Sequence, residues 1–188
     1  MKIQVRRNIF ETNSSSTHTL SIIKEDKDIK YPKSVIFTKG EFGWEDDEYT
    51  NTYSKASYLW EIIRFAGDIS GYCSDNTKFL TYEEYIQRIK DILDRHNIKY
   101  EFEYDTVVER TSTYKEYVNQ YGDVDDGYID HVSECADFIN FVTSKDEYLL
   151  NFLFSGKSFI VTGNDNAYDD EKKEFPDYGE AYEFYKGN

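Results

Sequence analysis

The spacing of apolar residues changes twice along this chain, and that change constrains its fold more than any single motif does. Near the start, Ile3 and Val5, then Leu20 and Ile22, alternate with polar neighbours over residues 2–6 and 17–23. Such alternation marks half-buried strands, and Ser34 to Thr38, with Val35, Ile36 and Phe37, reads as a third. Together the three predict an antiparallel sheet. The next stretch, Gly40 to Tyr49, has two glycines and an acidic run around Phe42 and Trp44, which marks a loop.

From Ser54 the spacing lengthens. Ala56, Leu59, Trp60, Ile63 and Ala66 fall on one helical face, with Gly67 and Gly71 placed to end the helix. The clearest helix runs from about Thr81 to His96. Thr81 and Glu84 form a capping-box pair there, and Tyr82, Ile86, Ile89 and Leu93 share a face. Glu84 with Arg88, and Asp91 with Arg95, stand at i,i+4 with the acid first, the favourable order. His96 falls in the last turn, where a cation suits the dipole, so no catalytic role is expected of it.

Lys99 to Tyr104 alternates as a strand, and Thr111 to Gly122 is polar and ambiguous. A helix is expected through Cys135, Phe138, Ile139 and Val142. Ser144 and Glu147 then suggest a second capping box, opening a helix from Lys145 to Phe154 that Gly156 closes. Ser158 to Thr162 is a late apolar strand, and from about residue 167 the chain reads as an acidic tail with one short helix near Gly179 to Tyr185. Strands first, helices in the middle and a strand late predict a single α+β domain over residues 1–188, a largely antiparallel sheet with three to four packed helices.

A chain of 188 residues is long enough to bury a core without disulfide staples, and Cys73 and Cys135 have no C-x-x-C spacing. The first residues lack the apolar run of a signal peptide, and no stretch approaches the roughly 18 apolar residues of a membrane span. A soluble, cytoplasmic protein is expected. Eighteen tyrosines and 13 phenylalanines predict an aromatic core with wet edges. The net charge of −15 argues against direct nucleic-acid binding, which needs clustered Lys and Arg. Residues 1 to 24 nevertheless carry Lys2, Arg6, Arg7 and Lys24 against Glu11 alone, so the opening segment is locally positive. An anionic small molecule could be drawn to it.

Several familiar chemistries fail on inspection. Gly156-Lys157-Ser158 ends like a phosphate-binding P-loop, but position 151 is Asn, and the expected order is helix-loop-strand. Asp123-Val124-Asp125-Asp126-Gly127 has its glycine one position early for a calcium loop. What remains is a constellation of polar steps at element ends. The first is the segment Arg7, Glu11, Thr12, Asn13, Ser14, Ser15, Ser16 and His18, whose backbone N–H groups and hydroxyls could cradle an anion. The second is Asp130-His131-x-Ser133, and the third is Asn164-Asp165-Asn166. His18, His131, Asp130 and Asp165 could together hold a divalent metal. The same residues also read as turn formers and as a buried polar network.

The run RRNIFETNSSSTHTL, with GEFGWE, KASYL, GYIDHVS and FIVTGNDN further on, resembles a family of uncharacterised proteins of phages and Gram-positive bacteria that open with F-E-T-N-S-S-S-x-H. The resemblance implies a phage or prophage context and singles out Arg7, Phe10, Glu11, Thr12, Asn13, Ser14, Ser15, Ser16, His18, Gly43, Trp44, Tyr128, Asp130, His131, Ser133, Asn164, Asp165 and Asn166. It leaves the reaction open.

The leading expectation is a polar pocket for a phosphorylated or anionic ligand such as a nucleotide, with metal-assisted phosphoester hydrolysis as its catalytic form. In that form Arg7 and the Asn13 to Ser16 turn hold the anion, His18 and His131 act as acid, base or ligands, and Asp130 and Asp165 orient them or bind metal. The alternative belongs to a different class. It is a non-catalytic acidic inhibitor that imitates nucleic acid and blocks a host defence or nucleic-acid-binding protein, a basic host partner, suggested by the acidic runs at Glu45 to Glu48, Asp123 to Asp126 and Asp169 to Glu171.

Overall fold

The computed structural model describes residues 16–43, 47–69, 80–111, 114–130, 136–164 and 181–186. In chain order the elements are β1 (Ser16–Ile23), β2 (Ser34–Phe37), β3 (Glu41–Phe42), β4 (Asp47–Tyr49), α1 (Thr52–Ile69) and α2 (Tyr82–Arg95). They continue with β5 (Lys99–Phe102), β6 (Thr106–Thr111), β7 (Tyr114–Val118), β8 (Tyr128–Ile129), α3 (Ala136–Val142), α4 (Asp146–Phe154), β9 (Ile160–Asn164) and β10 (Tyr182–Lys186). The class is α+β in a single domain, as the spacing of apolar residues predicts.

The organising element is α1. An ordinary surface helix buries one stripe, but every residue from Lys55 to Ile63 is buried, so α1 is wrapped all round. It packs against α2, α3, α4, β2 and β8. Trp60 anchors one side against Phe102, Tyr82 and Tyr117, and Tyr58 anchors the other against Phe42 and Phe138. Gly67 lies inside α1 instead of ending it. A helical glycine costs only about 1 kcal/mol, which the burial upstream outweighs.

The main sheet has the order β10-β1-β9-β4, antiparallel throughout. The place expected for β2 in an antiparallel sheet is not the one it takes. Instead β2 pairs in parallel with β5, Val35 and Phe37 pointing into the core. A parallel pair needs a long crossover, and α1 with α2 supplies it. Within the stretch read as the Gly40–Tyr49 loop lie two short strands: β3 runs parallel to β8, and β4 forms an edge of the main sheet. The ambiguous stretch near Thr111 is the hairpin β6–β7. The chain end corrects the sequence reading most plainly. In place of a short helix, residues 182–186 form β10, whose Phe184 packs on Phe138 and Phe141. The stretch Tyr182 to Tyr185 alternates half-buried and exposed residues, the period of a strand covered on one face.

The first capping box is present, the second is not. Thr81 Oγ1 accepts from Glu84 N, and the Glu84 carboxylate accepts from Thr81 N at 2.8 Å. By contrast Ser144 Oγ donates back to Phe141 O, and Lys145, the N-cap of α4, makes no side-chain capping bond. The turn between α3 and α4 is so short that the hydroxyl serves the helix it leaves. The i,i+4 pairing expected for Arg95 is also replaced. Its guanidinium forks onto Asp146 at 2.6 and 3.0 Å, and His96 Nε2 reaches the same carboxylate at 3.1 Å. His96 therefore ties the end of α2 to the start of α4, where an acid suits the dipole.

Candidate functional site

The predicted residues fall into two groups. Arg7, Glu11, Thr12, Asn13, Ser14, Ser15, His131, Ser133, Asp165 and Asn166 lie outside the described residues, as do residues 2–6, Cys73 and Cys135. Ser16, His18, Asp130 and Asn164 lie within them, and strand register relates three of the four. Along β1 and β9, Ser16 stands opposite Asn164, Thr17 opposite Gly163, and His18 opposite Thr162. Thr162 is in turn opposite Asp47 of β4. The end of the main sheet where β1 begins is thus the end where β9 finishes, and there Ser16 and Asn164 stand opposite each other.

His18 is only 2% exposed, and its Nδ1 shares a 2.8 Å hydrogen bond with the Tyr58 hydroxyl of α1. Tyr58 packs edge-on against Phe42, and the Phe42 carbonyl accepts from Asp130 N at 2.9 Å. A continuous path therefore runs from His18 through Tyr58 to the β3–β8 corner that carries Asp130. His18, Tyr58, Thr162, Tyr128 and Asp130 each make further contacts as well. With Nδ1 committed to Tyr58, any ligation or proton exchange by His18 would fall to Nε2. Among the described residues no three His, Cys, Asp or Glu side chains are grouped to hold a metal.

The β3–β8 corner is built on close approaches. A Cβ at Gly43 would clash with the Tyr128 hydroxyl, and one at Gly127 would clash with Glu61 Oε1. Beneath it lies a polar cluster that the sequence reading passed over. Glu61 Oε1 accepts from Gly40 N at 2.9 Å, and Arg64 Nε donates to Glu61 Oε2 at 3.0 Å. Arg64 also donates to Gly127 O and pairs with Asp125 Oδ2 at 3.4 Å. Both carboxylate side chains are wholly buried. Burial pushes the Glu61 carboxyl up to about 7 against the opposing pull of Arg64, and raises Asp125 too.

Lys55 was missed as well. It is fully buried on α1, its ammonium donating to Ser155 O at 2.6 Å and Ser158 O at 3.1 Å, and burial lowers its pKa to about 7. Its role is to satisfy carbonyls at the end of α4. The P-loop-like triplet is likewise structural. Lys157 pairs with Asp26 at 2.9 Å, and Ser158 Oγ accepts from Ile23 N.

An open cleft of about 380 Å³ lies between α2 and the α3–α4 turn, lined by Arg88, Asp91, Arg95, Thr143, Ser144 and Asp146. It contains none of the predicted residues. Its donors are largely spent, since Arg95 is bound to Asp146 and both hydroxyls donate to carbonyls of α3. Among the described residues no helix is long and apolar enough to cross a membrane. No protein family, curated protein or solved structure matches the chain.

Proposed function

We propose that this protein binds a phosphorylated or otherwise anionic small molecule at the end of the main sheet where β1 begins and β9 finishes. The observation that carries the reading is the pairing of Ser16 with Asn164, because Ser15 and Asp165 are the bonded neighbours of that pair. Hydroxyls and amides from two separate segments are then available to one ligand, with Arg6 and Arg7 a short way along the chain to supply charge. Asp47 and Glu48, exposed on the adjacent edge strand, put negative charge beside this end. That charge favours a phosphate taken up together with a divalent cation over a bare anion. In the hydrolytic form, Asp130, His131, Asp165 and His18 Nε2 would be the ligands or proton carriers. The burial of His18 favours binding over turnover.

The acid-mimic alternative loses part of its support. Of the Asp123–Asp126 run, Asp125 is buried against Arg64 and Asp126 pairs with Lys39. The phage context and the cytoplasmic setting belong to the same proposal, the first resting on the sequence resemblance and the second on Cys73 and Cys135 lacking C-x-x-C spacing.

Thermal melts test the reading. A nucleoside phosphate at about 100 times its dissociation constant, with magnesium present, should add roughly 2.7 kcal/mol of stability. Arg7→Ala or Asn164→Ala should remove that gain while leaving the unliganded melt close to the parent's. Flat melts across a nucleotide panel, with and without magnesium, would count against the site. Release of inorganic phosphate would establish the hydrolytic form.

A further inference from the structure

We propose that Glu61, Arg64 and Asp125 form a proton-operated latch, which holds the β3–β8 corner against α1 while it keeps one proton and frees residues 125–130 when that proton is lost. This goes beyond the ligand reading and does not require it. The inference starts from charge balance. Two carboxylates and one guanidinium occupy a site where the acids are wholly buried and the arginine side chain is 8% exposed. With both acids ionised the site would hold an uncompensated negative charge, which is costly away from water. One retained proton makes it neutral.

Among the described residues, the surrounding groups do not supply the missing positive charge. On α1 the only cation facing the acids is Arg64 itself, whose backbone carbonyl accepts from the Tyr117 hydroxyl of β7 at 3.0 Å. From the turn after β2, Lys39 faces the cluster but is paired with Asp126, so that outer pair adds nothing net. Asp125 Oδ1 accepts from Gly127 N at 2.7 Å, while the buried Oδ2 makes no hydrogen bond among the described residues and faces Arg64 Nε as an ion pair at 3.4 Å. An ionised Asp125 is therefore under-satisfied where it sits.

The mechanical consequence follows from what each group holds. Glu61 sits in the middle of a helix buried on all sides and cannot move. Asp125 belongs to an irregular segment, and both carboxylates lie against Gly127. When the carboxylic proton leaves to water, repulsion between the two acids falls on the movable partner. The segment that shifts carries Gly127, whose carbonyl Arg64 holds, and runs through β8 to Asp130. The burial-raised pKa of Glu61 places the event near neutrality.

Amide hydrogen exchange without any ligand tests this and leaves the binding proposal to its own experiment. After correction for intrinsic rates, the parent's amides at Tyr128 and Asp130, which donate to Gly40 O and Phe42 O, should lose roughly tenfold protection between about pH 6 and about pH 8.5, relative to α2. Glu61→Gln, neutral at both values, should keep its protection at the higher pH. If that variant does not fold, Asp125→Asn serves, since one acid against Arg64 needs no proton. Equal protection of the parent at both values, or an equal loss in the folded variant, would overturn the latch.

Discussion

At the scale of single residues, burial separates the groups that sequence could find from those it could not. His18 is visible in the sequence because it follows a seryl run at a strand start, but its partner Tyr58 lies 40 positions away on a helix. Replacing His18 with Asn should cost about 1 to 3 kcal/mol, because the shorter side chain leaves the buried Tyr58 hydroxyl without that bond. The reading is a lower denaturant midpoint with an unchanged slope. A variant as stable as the parent would make His18 a solvent-facing group. Glu61, Arg64, Asp125 and Lys55 were illegible for a physical reason. A charged residue in a helical or acidic stretch reads as a solvated one; the closing of Gly40 and Gly127 over α1 takes the first three out of water, and the turn from Ser155 to Ser158 does so for Lys55.

At the scale of elements, what was legible is what local chemistry decides. The helix Tyr82–Arg95 was readable to within a residue because its start is closed by a reciprocal pair of bonds between Thr81 and Glu84. Ser144 and Glu147 repeat the pattern without forming the box, since tertiary context redirects the hydroxyl to Phe141 O. The two sites should therefore differ on mutation. Thr81→Ala should lose about 1 kcal/mol, and Ser144→Ala, at an exposed position without a capping role toward α4, should stay within about 0.5 kcal/mol of the parent. Equal losses in chemical denaturation would contradict the assignment. Strand partnership was the part that sequence did not carry. Alternation in β2 and near Tyr182–Lys186 says that one face is buried, not which neighbour lies alongside. The parallel pairing with β5 depends on two intervening helices, and β10 finds β1 from more than 150 positions away, as with Leu20 and Lys186.

At the scale of the molecule, two buried ionisable groups should shape stability in opposite directions. The Glu61 carboxyl titrates near 7 in the folded chain against 4.5 for an exposed one, so the folded state binds the extra proton between these values. Its contribution to stability falls as pH rises through that window. Lys55 titrates near 7 against 10.5, so the unfolded state binds the extra proton there, and stability rises from about 7 upward. The pair predicts a local minimum of unfolding free energy close to neutrality. Glu61→Gln should erase the descending limb and Lys55→Met the rising one, leaving each variant monotonic; a parent without the minimum, or a variant that keeps the limb it should lose, would contradict the assignments.

The central claim, that two polar segments meet at one end of the main sheet and bind a phosphorylated ligand, is tested most directly by mapping where such a ligand acts. Amide chemical shifts of the isotope-labelled protein, followed during titration with a nucleoside monophosphate and magnesium, should change at Ser16, Thr17, His18, Thr162, Gly163 and Asn164, with a smaller response at Asp130. Shifts confined to the cleft between α2 and α4, or no shifts at ligand concentrations in the millimolar range, would contradict it.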